Sequence, residues 1–242
     1  MTLDQFFNVG FVGKYINDHS NVPDSPLLLA WIIGIIVILI SGYLLGSLNF
    51  AIIISGKTYK QDIRNYGSKN AGMTNMMRTY GKKAAALTLL GDALKAMVAG
   101  LVGYAVLGQL GAYIAGCACV LGHMFPVFYG FKGGKGVVTA AASILMCNPY
   151  VFIIVIILFV LIVAMSKYIS LGSIMCAFIY PFILYGIDTW LLGGSPYVLF
   201  ALFISVLLLF KHKENFKRLR DGKESKFSFK KSVKPEDVKE DK

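Results

Sequence analysis

The sequence predicts an all-α, polytopic membrane helix bundle of about seven transmembrane helices. Of the 242 residues, 56% are hydrophobic and only 15% are charged. A soluble domain of this length could not bury so many hydrophobic side chains away from its surface. A helix needs roughly 20 mostly apolar residues to cross a hydrocarbon core ~30 Å thick, and the chain contains several such runs. The uneven placement of its basic residues is the third observation, because it orients the loops.

Seven apolar runs are candidate transmembrane helices, and two of them are short. The fourth and fifth form one apolar region that is too long for a single crossing, and Asn148-Pro149 predicts a tight turn within it. A re-entrant hairpin at this turn is the alternative. Gly42 and Gly46 in the first run form a small-xxx-small pair that is typical of a packing seam. The predicted spans are Leu27–Ser55, Ala84–Leu107, Gly111–Tyr129, Val137–Cys147, Tyr150–Met165, Ile169–Ile187 and Tyr197–Phe210.

The charges orient these spans. With the N-terminus outside, one side of the membrane holds 22 of the 24 Lys and Arg residues, and the positive-inside rule makes that side cytoplasmic. The first run is too long for a signal peptide, so we expect it to be a retained span. The predicted regions are a polar extracytoplasmic extension over 1–26, a transmembrane domain over 27–210 with cytoplasmic loops 57–83, 130–136 and 166–168, and a basic cytoplasmic tail over 211–242.

Composition also argues against several kinds of partner. A net charge of +11 suggests nucleic acid in a soluble protein, but here the cations flank membrane helices, so we expect membrane lipid and no nucleic acid. The four cysteines lie in apolar stretches without a CxxC pair, and no histidine stands at metal-ligand spacing. We therefore expect no disulfide framework, no metal and no cofactor. The cysteines are Cys117, Cys119, Cys147 and Cys176.

The first polar cluster lies in the loop 57–83. Its hydroxyls, carboxamides and cations would suit a phosphorylated, hydroxylated small molecule. An ordinary solvated basic loop is the alternative. The candidate binding residues are Ser68, Asn70, Thr74, Asn75 and Arg78.

The second polar cluster is Phe131-Lys132-Gly133-Gly134-Lys135-Gly136, directly before the fourth span. Its glycines would let backbone amides approach an anion, the positive end of the following helix points at the loop, and two lysines add charge. The pattern predicts a phosphate cradle. It is not a Walker A loop, because the spacing and the Ser or Thr after Gly-Lys are missing. Lysines that only anchor a membrane helix are the alternative.

The third polar cluster follows the last span. On a continuing helix His212 and Asn215 lie three residues apart and share a face, so one could donate to a substrate while the other orients it. A basic juxtamembrane helix that attracts anionic lipid is the alternative.

Ionisable residues also occur inside the predicted spans. Asp92 and Lys95 are three residues apart in the second span, and an unpaired charge near the bilayer centre costs roughly 2.5–3.5 kcal/mol. We expect them to pair with each other or to line a polar cavity. His123, just before Pro126, is either a satisfied interior histidine or part of the site.

The polar clusters together resemble the bacterial acyl-phosphate:glycerol-3-phosphate acyltransferases, from about Gly46 to Phe229. Asn49, Lys69 and Ala96 depart from that pattern, which often has proline at the first of these positions and glycine at the other two. The resemblance is carried by Gly67-Ser68-x-Asn70-x-Gly72-x-Thr74-Asn75-x-x-Arg78, Gly122-His123-x-Phe125-Pro126 with Phe131-Lys132-Gly133-Gly134-Lys135-Gly136, Ser166-Lys167-Tyr168-Ile169-Ser170-Leu171, and His212-x-x-Asn215-x-x-Arg218-Leu219.

This resemblance implies a seven-helix enzyme of the bacterial cytoplasmic (inner) membrane. It would move a fatty acyl group from acyl phosphate to the 1-hydroxyl of glycerol 3-phosphate, giving lysophosphatidic acid and phosphate, with no cofactor and no obligatory protein partner. The implied catalytic residues are Ser68, Arg78, Lys135, His212 and Asn215. The implied substrate-binding residues are Asn70, Thr74, Asn75, His123, Lys132, Gly133, Gly134, Gly136 and Ser170.

The implied chemistry agrees with what the sequence lacks. Acyl phosphate is a mixed anhydride with a good leaving group, so the protein has only to position two anionic substrates and stabilise developing charge. No G-x-S-x-G elbow or Ser-Lys pair offers a covalent nucleophile. The base is either His212, whose unperturbed pKa is ~6.5, or the substrate's own phosphate. A small transporter for a phosphorylated solute and a non-catalytic lipid-binding subunit are the alternative functions.

Overall fold

The computed structural model describes residues 8–18, 24–192 and 197–227, and all regular structure in these ranges is helical. This confirms the all-α prediction. Short 3-10 turns lie at Ile63–Asn65 and Val127–Tyr129. The α-helices are α1 Gly10–Asp18, α2 Asp24–Ser47, α3 Phe50–Tyr59, α4 Met73–Tyr80, α5 Lys82–Met124, α6 Val137–Cys147, α7 Pro149–Ser166, α8 Ile169–Leu192, α9 Val198–Lys211 and α10 Lys213–Arg220.

Several of these helices are suited to a bilayer. Within the described ranges, four helical stretches are long and apolar enough to cross one, and α6 and α9 are shorter apolar helices. In α7 the exposed side chains include Ile153, Ile157 and Leu161, as expected for a helix whose solvent is lipid. The protein is therefore a multi-pass membrane protein. The four stretches are Pro26–Tyr59, Lys82–Tyr129, Pro149–Ser166 and Ile169–Trp190.

The 43 residues of α5 form a helical hairpin. Leu107 and Gly108 leave the helical conformation, with φ of −127° and +59°. A Cβ atom placed on Gly103 would lie 2.3 Å from the carbonyl oxygen of Gly111, whereas residues eight apart on a straight helix are about 12 Å apart. The chain must therefore turn back at this break, where the sequence predicts the boundary between the second and third spans.

The first predicted span, Leu27–Ser55, is wrong as a single helix. The chain breaks between α2 and α3, where the Asn49 side chain accepts a hydrogen bond of 3.1 Å from the backbone N–H of Ile52 and so starts a new helix. The residues on both sides of the break are mostly apolar, so the sequence does not reveal it. The packing seam is confirmed, because a Cβ on Gly46 would lie 2.1 Å from the carbonyl oxygen of Cys119 on α5.

The segment 57–83 is not a continuous loop as predicted. It contains the end of α3, a 3-10 turn and all of α4, and Ile63, Met76 and Tyr80 are buried in a small apolar cluster beneath it. Such side chains order a polar segment that composition alone makes look flexible. Residues 1–7 and 19–23 of the predicted extension, and 228–242 of the predicted tail, lie outside the described residues.

The turn at Asn148-Pro149 has the predicted form. Asn148 joins α6 to α7 in an extended conformation and accepts a hydrogen bond of 3.1 Å from the backbone N–H of Val151, while Pro149 begins α7. Proline is favoured there because the first helical N–H has no intrahelical acceptor. The 11 residues of α6 span only about 16 Å, roughly half of a hydrocarbon core.

Candidate active site

One cavity of about 990 Å³ brings together most of the polar residues that the sequence singles out. It lies between the segment 67–78, α6, the start of α8 and the junction of α9 with α10. The side chains of Lys95 and Lys132 and the residues Gly133 and Gly134 are not among those that line it. The predicted site residues that do line it are Ser68, Asn70, Thr74, Asn75, Arg78, Asp92, His123, Lys135, Gly136, Ser170, His212 and Asn215.

Asn75 organises the first polar cluster. Its Oδ1 accepts a hydrogen bond of 2.9 Å from the backbone N–H of Ser68, and its Nδ2 donates to the carbonyl oxygens of Tyr66 at 2.9 Å and Ile63 at 3.3 Å. The side chain is 1% exposed. Because both ends of the carboxamide already have backbone partners, Asn75 shapes the wall of the cavity and fixes Ser68 in it.

Lys135 and Asn215 meet in the cavity from opposite sides. The Lys135 ammonium donates a hydrogen bond to Asn215 Oδ1, so the second and third polar clusters form one site. His212 interrupts the helix that the sequence predicts to continue, since α9 ends at Lys211 and α10 begins at Lys213. His212 and Asn215 are nevertheless both buried and both line the cavity.

The surroundings of His212 fix its protonation state. Its Nδ1 lies 2.8 Å from the carbonyl oxygen of Leu208, and a carbonyl only accepts, so Nδ1 carries the proton and Nε2 keeps its lone pair. Burial lowers the pKa of His212 to about 4. The imidazole is therefore neutral at pH 7.

Gly133 and Gly134 do not have the role that the sequence suggests. Their amides, which we expected to face an anion, donate within the protein to the carbonyl oxygens of Met124 at 3.3 Å and His123 at 3.1 Å. A Cβ on Gly134 would lie 2.2 Å from His123 Nε2. These glycines are needed for close packing against the end of α5, whereas Val137 and Val138 at the start of α6 line the cavity.

Asp92, Lys95 and His123 form a buried polar network in α5. Lys95 Nζ lies 2.8 Å from Asp92 Oδ1 and 2.9 Å from His123 Nδ1. It also donates to the carbonyl oxygens of Gly46 at 3.0 Å and Leu48 at 2.8 Å. Lys95 therefore joins the two halves of the α5 hairpin to the end of α2, and Asp92 and His123 reach the cavity wall.

The sequence did not single out Glu224 or Arg218 as site residues. The Glu224 carboxylate accepts hydrogen bonds from Arg218 Nε at 2.8 Å and Asn215 Nδ2 at 3.0 Å. Burial opposes its ionisation, but these hydrogen bonds outweigh burial and lower the pKa of Glu224. Arg218 occurs in one of the sequence blocks that carry the family resemblance. Glu224 lies in a charged tail, where no sequence pattern indicates a site residue.

The polar end of the cavity is strongly positive. Burial and, to a smaller extent, the nearby cations Arg218 and Arg78 together lower the pKa of Lys135 to about 8, and Glu224 opposes this shift. Burial likewise lowers the pKa of Arg78. Cations that are crowded and partly desolvated gain free energy when an anion joins them.

The other end of the cavity is apolar and reaches between the helices. It is bounded by side chains of α5, α6 and α7, and Leu89 and Leu90 on α5 are also exposed on the outside of the bundle. An apolar slot beside lipid can hold a hydrocarbon chain. Its lining includes Leu89, Leu90, Ala93, Met97, Ala141, Leu145, Phe152, Ile156 and Phe159.

These features define a multi-pass helical membrane protein whose cavity can bind an amphiphile with an anionic head. The model of the family described as glycerol-3-phosphate acyltransferase matches residues 36–222. The chain therefore belongs to the glycerol-3-phosphate acyltransferase family.

Individual relatives agree with this assignment. The glycerol-3-phosphate acyltransferase of Finegoldia magna is 43% identical over 195 residues, which cover 79% of this chain and 96% of the relative. That of Alkaliphilus metalliredigens is 43% identical over 198 residues, covering 82% and 98%.

Solved structures show the same fold. The crystal structure of PlsY, an integral membrane glycerol 3-phosphate acyltransferase, in its glycerol 3-phosphate form has a TM-score of 0.72 and 34% identity and covers 80% of this chain and 96% of that chain. Its lysophosphatidic acid form has a TM-score of 0.70 and 33% identity, with 81% and 96% covered.

Proposed function

We propose that the protein transfers a fatty acyl group from acyl phosphate to the 1-hydroxyl of glycerol 3-phosphate. The products are lysophosphatidic acid and inorganic phosphate. The enzyme acts in the bacterial cytoplasmic membrane with its polar site on the cytoplasmic side, where the basic loops are expected by the positive-inside rule.

The observation that supports this proposal is that four cationic side chains, Lys69, Arg78, Lys135 and Arg218, line one end of a single cavity whose other end is an apolar slot. Arg78, Lys135 and Arg218 supply charge for phosphate groups, and the slot between α5, α6 and α7 accommodates the acyl chain. At about 990 Å³ the cavity is at the upper end of the range for small-molecule sites, so it has room for the donor and the acceptor together.

The reaction needs no covalent enzyme intermediate. The 1-hydroxyl oxygen of glycerol 3-phosphate attacks the acyl carbonyl carbon, and the bond from that carbon to the phosphate oxygen breaks. Lys135 and Arg78 neutralise the phosphates and hold the two reactants close. Ser68 and the amides at the start of α6 add hydrogen bonds to phosphate oxygens. Asn215, which contacts Lys135, orients the acceptor.

The proton of the attacking hydroxyl ends on phosphate. His212 Nε2 accepts a hydrogen bond from the hydroxyl and orients it, but a group with a pKa of about 4 is a weak proton acceptor at pH 7. The departing phosphate is the stronger base. His212 is therefore an orienting residue that touches substrate, and the substrate completes the proton transfer.

The donor is tested with purified protein in detergent. Phosphate should be released from palmitoyl phosphate only when glycerol 3-phosphate is present, and Lys135→Ala and Arg78→Ala should abolish the release. As the matched control, exposed Lys83→Ala should retain activity. Equal use of palmitoyl-CoA would overturn the assignment of the donor, and solute flux in liposomes without acyl transfer would favour a transporter.

A further inference from the structure

Three of the phosphate-contacting side chains of the proposed site come from two segments that are far apart in sequence. Ser68 and Arg78 come from the segment 57–83, whereas Lys135 comes from the loop 130–136. Phosphate contacts from both segments are useful only if the two segments keep a fixed distance. The part of the fold that sets this distance is therefore part of the binding machinery.

We propose that Arg64, oriented by Asp62, is a positioning residue that ties the segment 57–83 to the loop 130–136 and so sets the spacing of the phosphate-binding residues. This inference rests on the function proposed above. It assigns a role to a cation that touches no substrate.

Asp62 holds the Arg64 guanidinium in one orientation. Arg64 Nη2 donates to Asp62 Oδ2 at 2.7 Å, and Arg64 Nε lies 3.0 Å from both carboxylate oxygens. Asp62 Oδ1 also accepts from the backbone N–H of Arg64 at 2.9 Å. A planar guanidinium whose Nε–Nη2 edge is bound by a carboxylate has little rotational freedom.

The remaining edge of the guanidinium reaches the loop 130–136. Arg64 Nη1 donates to the carbonyl oxygens of Tyr129 at 2.8 Å and Lys132 at 3.1 Å. Between these carbonyls the chain turns through Gly130 and Phe131, whose φ values are +63° and +59°. A left-handed conformation is unfavourable for phenylalanine, so the two hydrogen bonds hold the turn that precedes Lys135.

The backbone on either side of Arg64 also positions Ser68, on the other side of the site. The carbonyl oxygens of Ile63 and Tyr66, on either side of Arg64, accept hydrogen bonds from Asn75, and Asn75 accepts from the backbone N–H of Ser68. A continuous set of hydrogen bonds therefore leads from Ser68 through the 3-10 turn and Arg64 to the loop that carries Lys135.

Arg64 itself is not placed to bind substrate. It lines a separate shallow depression and not the 990 Å³ cavity. The hydrogen bonds from Arg64 lower the pKa of Asp62 despite partial burial, so the carboxylate is ionised and neutralises the cation. Because their charges cancel, the bidentate Asp62–Arg64 pair fixes the position of the backbone and attracts a distant phosphate only weakly.

The test compares Arg64→Lys with Arg220→Lys. A single ammonium cannot bond the Asp62 carboxylate and both carbonyl oxygens with the same geometry, so Arg64→Lys should raise the KM for glycerol 3-phosphate about 10-fold or more with a smaller change in kcat. Arg220 forms an exposed pair with Asp221 at 3.2 Å, so the same substitution there should leave both constants unchanged. An unchanged KM in Arg64→Lys would overturn the proposal.

Hydrogen exchange provides a second measurement that needs no activity. In Arg64→Lys, and in Asp62→Asn should the first variant fold poorly, amides of 127–136 should exchange faster while those of α8 keep their protection. Unchanged exchange in 127–136 would show that Arg64 does not hold this loop in place. If the wild type neither binds glycerol 3-phosphate nor transfers acyl groups, the proposed function fails, whereas the exchange result still decides whether Arg64 holds the loop.

Discussion

The charge of the Lys135 ammonium depends strongly on its surroundings. The ammonium is partly buried beside Asn215 and near the guanidinium groups of Arg78 and Arg218. A lysine with its pKa lowered to about 8 is protonated at pH 7 but loses its proton within a range that an assay can cover.

This lowered pKa predicts a pH-dependent KM. The protonated form binds phosphate, so the KM for glycerol 3-phosphate should be constant at neutral pH and rise about tenfold per pH unit above a pH of about 8. In Lys135→Arg the rise should disappear, because a guanidinium stays charged. Initial rates between pH 6.5 and 9.5 measure both curves, and parallel curves would contradict the role given to Lys135.

We predict that His212 determines the magnitude of kcat but not how kcat depends on pH. Because the neutral imidazole persists at all pH values well above 4, its ionisation should not appear in kcat between pH 5.5 and 8. Because His212 orients the attacking hydroxyl, His212→Gln should lower kcat by roughly 10²-fold, with the profile otherwise unchanged. An acidic limb that is present in the wild type and absent from the variant would identify His212 as the base.

At the scale of helices, Lys95 connects elements that sequence alone leaves separate. Its ammonium lies between the two halves of α5 and donates hydrogen bonds to the carbonyl oxygens of Gly46, in the last turn of α2, and of Leu48, just after that helix. Lys95 and Asp92 have side chains only 2% exposed. Removing one partner of such a pair leaves an uncompensated charge, which is more damaging than removing both.

Substitutions in this pair should therefore be non-additive. Lys95→Ala should lower the free energy of unfolding by roughly 3–5 kcal/mol, and Asp92→Asn combined with Lys95→Met should lower it less than Lys95→Ala alone. Unfolding midpoints in one detergent, compared with exposed Lys83→Ala, measure the effect. Strictly additive losses would show that the two charges do not stabilise each other.

The sequence reveals elements better than it reveals their contacts. An apolar region that is too long for one crossing, interrupted by Asn148-Pro149, predicts the end of α6 and the turn that follows it. The sequence pattern misses the break at Asn49, where a carboxamide cap acts inside an apolar run. It also misses the acceptors of the Gly133 and Gly134 amides and the position of Glu224, since tertiary packing decides both. Residue types indicate what the site can bind, and only the fold shows which atoms are free to bind it.

At the scale of the whole molecule, the charge pattern predicts a single cytoplasmic face for the site. Cysteines introduced at Lys69, Lys132 and Lys213 should react with an impermeant maleimide in inside-out vesicles, and Tyr15→Cys only in spheroplasts. All four native cysteines are buried, so their background labelling should be low. Reaction of positions 69 and 132 from opposite sides of the membrane would contradict a shared cavity.

Two-substrate kinetics tests most directly whether donor and acceptor meet in this cavity without an acyl-enzyme. When palmitoyl phosphate and glycerol 3-phosphate are both varied, we predict intersecting double-reciprocal lines, and intact mass spectrometry after incubation with donor alone should show the unmodified chain. Parallel lines together with a mass increase of one palmitoyl group would demonstrate a covalent intermediate and contradict direct transfer.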